Sequence, residues 1–159
     1  MSFLSKIFSA LWRIWFLLAF AIPFLLTLPI TFFLTLSEKT YPLLYHLFVR
    51  PAASFMLFVS GIYPEVKKIG KLDPNKQYIF CPNHASLLDV PMMFYVSKKP
   101  ILFIGKKSIA KIPIFGYYYA SFNVLVDRAS ARDSYLAFQR AGKHIKNGKN
   151  MVIFPEGGI

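Results

Sequence analysis

Acidic side chains are scarce in this chain. Seven Asp and Glu stand against nineteen Lys and Arg in 159 residues, for a formal net charge of +12. Such a balance suits nucleic acid, an anionic membrane surface or phosphorylated substrates. Cysteine is rarer still. Cys81 stands alone, so no intrachain disulfide can form and nothing indicates an oxidising compartment. It lies in an apolar run and reads as a small buried hydrophobe. Histidine occurs three times, at His46, His84 and His144. A metal hydrolase using His84, Asp89 and Glu156 as ligands would have a thin donor set, with no second histidine evident near it. Internal repeats and low-complexity segments are lacking. The aromatics sit in apolar runs and form no recognisable base-stacking motif, which argues against a nucleic-acid binder.

What the chain has in abundance is hydrophobicity. Apolar residues make up 55% of it, and the mean hydropathy is +0.45. Both point to membrane contact, in a chain about one domain long. Ile14 to Leu36 is a run of 23 residues without a charge, enough to cross a hydrocarbon core of roughly 30 Å. It is too long for a secretory signal and lacks a clear small-residue cleavage site, so it reads as a retained anchor. Pro23 and Pro29 would kink a spanning helix, which membranes tolerate where neighbours satisfy the freed carbonyls. A second apolar stretch, Tyr41 to Ile62, is interrupted by Pro42, His46, Arg50 and Pro51 and suits an interfacial or re-entrant helix. A hairpin dipping into one leaflet and a single span both remain open.

Composition changes at Tyr63. The division is therefore 1–62, membrane-anchoring helices, and 63–159, a basic α/β domain with fifteen basic and six acidic side chains. Asp73-Pro74-Asn75 reads as a turn. Short apolar strands are expected at Gln77–Cys81, Ile101–Ile104, Asn123–Val126 and Met151–Phe154. Helices are expected at Val90–Ser97, from Lys107 to Ala110 with a weak extension to Tyr119, and at Ser130–Lys146. In the last, Tyr135, Phe138 and Ile145 with Ala131 and Ala141 form the apolar stripe. Asn147-Gly148 ends it. The alternation implies a mostly parallel sheet flanked by helices. Functional groups of such sheets gather at the carboxyl ends of the strands. His84, Arg128 and Glu156 each follow a strand end.

The first of these ends carries the chemistry. In Asn83-His84-Ala85-Ser86-Leu87-Leu88-Asp89, the imidazole and carboxylate are five residues apart. On a regular helix they would point about 140° apart, so they can meet only across a turn. Pro82 and Asn83 break the strand. Pro91 suits a first helical turn, so a helix should start between Leu88 and Val90. Asp89 then sits at a helix N-terminus, where a carboxylate is favoured. Its contact would fix one ring nitrogen of His84 as donor and free the other to act as general base. The ordinary alternative is a plain helix cap beside a solvated loop histidine.

The string Asn83-His84-x-Ser86-x-x-Asp89 after a strand resembles the first signature of the glycerolipid acyltransferases, whose bacterial members make phosphatidate from 1-acylglycerol 3-phosphate. Lys106-Lys107 with Ile112-Pro113-Ile114-Phe115-Gly116 and Val124-x-Val126-Asp127-Arg128 is similar to the second signature region. Phe154-Pro155-Glu156-Gly157 is similar to the third. The resemblance implies a glycerol-3-phosphate acyltransferase-like α/β fold. It implies catalysis by His84 and Asp89, phosphate binding by Arg128 and Lys107, and an acceptor-alcohol site at Glu156 and Gly157. It implies no metal and no redox cofactor, with acyl-CoA or acyl-carrier protein as co-substrate. The other partners would be lysophosphatidate and membrane lipid at the cytoplasmic face of the inner membrane. A two-helix membrane-docking element would bring the site to the lipid surface.

Cations like these have other uses. Arg128 can simply pair with Asp127 or Asp133, Lys106-Lys107 can be a solvated charge run, and Glu156 a lone turn residue. The family usually follows Glu-Gly with Thr-Arg, whereas Gly158-Ile159 stand here. Its members also continue for further strands and a fourth signature, so a C-terminal part is apparently missing. A related acyltransferase with a glycerol 3-phosphate or lyso-aminolipid acceptor, and an inactive membrane-binding fragment, stay open.

Overall fold

The computed structural model describes residues 3–157; Gly158 and Ile159, where the third signature diverges, lie outside the described residues. Four strands form one parallel sheet: β1 (Ile79–Phe80), β2 (Ile101–Lys106), β3 (Val124–Val126) and β4 (Asn150–Val152). Their order is β1-β4-β2-β3, with β4 inserted between β1 and β2. Ile79 pairs with Met151, Leu102 with Met151, and Gly105 with Leu125. Strand alternation puts Leu102 and Phe103 on opposite faces. Leu102 shares a small void with Tyr41, His144 and Phe122, while Phe103 packs on Phe94 from the other side. Apolar covering on both faces is what a parallel sheet requires.

Two asparagines hold the strand starts in register. Asn150 Oδ1 accepts the Tyr78 N–H at 2.9 Å, and Asn123 Oδ1 accepts the Phe103 N–H at 2.7 Å. Asn150 is buried. Each side chain takes a backbone donor that the short ladder leaves over.

Helix α1 (Phe3–Thr35) is followed by a 3₁₀ turn (Glu38–Thr40), α2 (Tyr41–Leu44), a π turn (Tyr45–Val49) and α3 (Arg50–Val59). The pieces from Glu38 to Val59 make one continuous helical rod. Both it and α1 are long and apolar enough to cross a membrane. They lie antiparallel. Trp12 Nε1 donates to Ser60 O at 3.1 Å and Trp15 Nε1 to Val59 O at 2.9 Å. The second apolar stretch also enters the globular core. Tyr45 and Leu57 are fully buried, and Tyr41 and Leu44 nearly so. Tyr41 Oη donates to Ile101 O at 2.5 Å and Tyr45 Oη to Ser97 O at 3.1 Å. Two tyrosines one helical turn apart thus close the amino edge of the sheet, opposite the edge where the strands end.

The remaining helices are α4 (Asp89–Val96), α5 (Phe115–Phe122) and α6 (Ala131–Lys146). The helix expected from Lys107 to Tyr119 is two elements: a 3₁₀ turn (Lys107–Lys111) and α5. Pro113 holds Ile112 in extended backbone, and Ile114 follows at φ 63°, so no helix can run through. The expected stripe of α6 also differs. Ala137 and Ala141 are buried, whereas Tyr135 and Phe138 are 61% and 75% exposed. Small residues let the helix approach the sheet closely, and the large aromatics fall on its outer side. Ser130 caps α6, its Oγ accepting the Asp133 N–H at 3.2 Å. The turn at Asp73-Pro74-Asn75 is closed by Asp73 Oδ1, which accepts the Asn75 N–H.

Replacing Asn150 by Ala leaves the Tyr78 amide without its acceptor. The expected cost is about 1–3 kcal/mol, read as a lower midpoint of unfolding; an unchanged midpoint would refute this account of the register.

Candidate active site

β1 ends at Phe80, and Pro82 and Asn83 lead the chain away from the ladder. α4 begins at Asp89, within the expected interval, with Leu88 as its N-cap. The turn between them is closed by a single carboxylate oxygen. Asp89 Oδ2 accepts the Ala85 and Ser86 amides, each at 2.8 Å, and lies 3.0 Å from His84 Nδ1. A carboxylate can only accept, so Nδ1 carries the hydrogen and Nε2 is the free nitrogen. Ser86 Oγ accepts the Leu88 N–H, and Ser86 O accepts the Asp89 N–H.

The imidazole is fixed from its face as well. His84 stacks on Phe154, with centroids 4.0 Å apart and planes 18° apart. Phe154 rests on Phe103, and Phe103 on Phe94. The histidine therefore tops a column of rings drawn from the segment just after β4, from β2 and from α4. Its side chain is 14% exposed. Burial pushes the Asp89 carboxyl up, but the Ser86 amide, the His84 ring and the Ala85 amide outweigh it, and the group sits below the ordinary carboxylate value.

The other sequence candidates occupy the same edge of the sheet. Glu156 and Gly157 follow β4, Lys107 follows β2, and Arg128 follows β3. Gly157 has φ +77°, a conformation glycine adopts freely. A Cβ there would lie 3.3 Å from Arg128 Nη1. The guanidinium therefore rests against the Glu-Gly turn. Its two suspected partners are occupied elsewhere. Asp133 accepts the Asp127 amide and Arg140 Nη2, and Asp127 accepts the Ala129 amide. Arg128 forms no ion pair among the described residues. Glu156 and Lys107 are exposed.

Three features escaped the sequence reading. Phe154 belongs to a recognised motif, but its role as the stacking partner of His84 depends on the strand order. Tyr119 lies against Gly105, one residue past the strand expected at Ile101–Ile104 but inside β2 as observed, where a glycine marks close approach. Burial pushes the Tyr119 phenol above its ordinary value, partly opposed by the nearby Arg128 charge. Cys81, expected in the interior, is exposed, because β1 ends at Phe80 and the chain leaves the sheet there. Among the described residues, no group of three or more His, Cys, Asp or Glu side chains could hold a metal ion.

A sequence profile described as acyltransferase matches residues 64–159. The chain belongs to the glycerolipid acyltransferase family. Among its relatives is the lyso-ornithine lipid O-acyltransferase of Pseudomonas aeruginosa, 30% identical over 58% of this chain and 35% of that protein. The 1-acyl-sn-glycerol-3-phosphate acyltransferase of Helicobacter pylori is 28% identical over 68% of this chain and 45% of its own length. That of Escherichia coli is 28% identical over 70% and 44%. The matches thus span less than half the length of these relatives. No solved structure matches the chain.

Because the folded Asp89 carboxyl titrates below its ordinary value, its ionised form stabilises this acyltransferase fold. That contribution is fully present above the ordinary carboxylate pKa of about 3.9 and fades as pH falls through the lower folded value. A nuclear magnetic resonance titration of the Asp89 carboxyl carbon is expected to show a midpoint below about 3.9; a midpoint above it contradicts the hydrogen-bonding described.

Proposed function

We propose that this chain transfers a fatty acyl group to the sn-2 hydroxyl of 1-acylglycerol 3-phosphate, giving phosphatidate. The observation that carries the reading is the clamped His84, with Asp89 on one edge nitrogen and Phe154 on its face. His84 Nε2 removes the hydroxyl proton. The alkoxide attacks the thioester carbonyl of acyl-CoA or acyl-carrier protein. The tetrahedral intermediate collapses, the carbon–sulfur bond breaks, and the thiolate leaves with the proton returned by His84. Asp89 orients the ring and favours its protonated form during transfer. A positioned base contributes about 10²- to 10⁴-fold, and holding both substrates on one rim contributes more. The oxyanion needs donors of its own. The Ala85 and Ser86 amides already serve Asp89, so those donors come from elsewhere in the site.

In this reading Arg128 binds the phosphate, with Lys107 as a mobile second cation. Arg suits the task because its planar fork matches phosphate oxygens. Glu156 accepts a hydrogen bond from a glycerol hydroxyl, and Gly157 keeps the turn open to the ligand. The chemistry requires no cofactor beyond the acyl donor. The two long apolar helices support a membrane location, with the active rim at the cytoplasmic face. A lyso-aminolipid acceptor is the second reading, favoured by the name of the Pseudomonas aeruginosa relative.

The test is transfer from acyl-CoA to radiolabelled lysophosphatidate in vesicles. His84→Ala is expected to lower turnover by about 10²- to 10⁴-fold while vesicle association persists; full activity in that variant would eliminate the mechanism. Arg128→Ala is expected to raise the KM for lysophosphatidate about tenfold or more, and an unchanged KM would remove it from the phosphate site.

A further inference from the structure

Gly105 is the only position of β2 without a side chain, and its space is taken. A Cβ built there would fall 1.5 Å from Tyr119 Oη and 2.7 Å from Tyr119 Cζ. The phenol of α5 thus ends where a strand side chain would begin. Alternation along β2 places that spot on the same face as Phe103, two residues earlier. Phe103 is the ring on which Phe154 and then His84 are stacked. The hydroxyl therefore lies on the catalytic face, one pleat nearer the carboxyl edge. Arg128 is close enough for its charge to act on the Tyr119 phenol, and the same guanidinium rests on Gly157.

The hydroxyl itself is unspent. Tyr117 and Tyr118, its neighbours on α5, both use theirs: Tyr117 Oη lies 3.1 Å from Thr35 Oγ1, and Tyr118 Oη donates to Leu28 O at 3.0 Å. Tyr119 Oη makes no hydrogen bond among the described residues, although its ring is largely enclosed. The phenol lies within range of the Arg128 charge, and among the described residues neither group has a partner for its N–H or O–H donors, so both are free to donate to one anion at this edge.

We propose that Tyr119 is a further binding residue of the acceptor site, donating its O–H to the head-group phosphate that Arg128 neutralises, and that Gly105 is required to leave it room. The assignment rests on the phosphate-bearing acceptor proposed above. It adds a neutral, directional donor to the charge of Arg128. It also gives Gly105 a role that no larger residue can fill without displacing the phenol.

Binding of 1-hexanoylglycerol 3-phosphate and of 1-hexanoylglycerol to the full chain, with no acyl donor present, tests this by calorimetry. The wild type is expected to prefer the phosphate. Tyr119→Phe should weaken that ligand about tenfold or more, as loss of a hydrogen bond to a charged group does, and leave 1-hexanoylglycerol unchanged. Gly105→Ala, which keeps the tyrosine but displaces its hydroxyl, should reproduce the selective loss. Equal weakening of both ligands would mean a structural role and overturn the proposal. Unchanged phosphate binding in Tyr119→Phe would overturn it while leaving the acyltransferase reading intact. A wild type that binds the two ligands equally would overturn the phosphate acceptor itself, and Tyr119 with it.

Discussion

One carboxylate oxygen holds the candidate site together. Asp89 Oδ2 takes two backbone amides and one imidazole N–H. The amides close the turn, and the same closure brings His84 to the oxygen. Folding of the turn and orientation of the imidazole are therefore one event. It also decides the tautomer, since an ionised carboxylate offers no hydrogen. A helix alone would have held the two side chains apart, and a longer loop would have added entropy to lose. The stack on Phe154 supplies the second restraint. An edge hydrogen bond and a face contact leave the ring little freedom except at Nε2.

That second restraint depends on the sheet. Phe154 reaches His84 because β4 lies beside β1, between it and β2. The same insertion puts the Glu-Gly turn next to the histidine turn and within reach of Arg128. A parallel sheet collects its loops at one edge, and here that edge carries His84, the Glu-Gly turn, Lys107 and Arg128. The opposite edge is held by Tyr41 and Tyr45, whose hydroxyls bond Ile101 O and Ser97 O. The apolar helices are thus packed into the domain whose site they would carry to lipid. On α1, Phe20 and Phe24 meet Phe115, while Thr31 and Thr35 meet Tyr118 and Tyr117. Thr27 Oγ1 also bonds back to Pro23 O, one helical turn earlier.

Much of this was legible in the residues. A break at Pro82-Asn83, a helix start near Asp89 and a long helix beginning about Ser130 follow from local rules about proline, charge and periodicity. The His84–Asp89 contact was legible because only a turn could bring together residues at that spacing. The failures were local signals outvoted by packing. Tyr135 and Phe138 fit an apolar stripe, but the buried face of α6 is set by how closely a helix can approach the sheet, and alanine wins there. Pro113 was a stop signal that the expected continuation to Tyr119 passed over.

The sequence by itself determined the segments: apolar helices first, then a basic domain of alternating strands and helices, with His84, Arg128 and Glu156 just past strand ends. Periodicity, proline and capping act over a few neighbouring residues, so they can be read in order along the chain. Only the tertiary structure decided which strand lies beside which, that Phe154 covers His84, and that Tyr119 occupies the space left by Gly105. Those contacts join residues 70 and 14 positions apart. They arise from hydrogen bonding between strands and from the filling of a shared volume, neither of which leaves a mark on the neighbouring sequence.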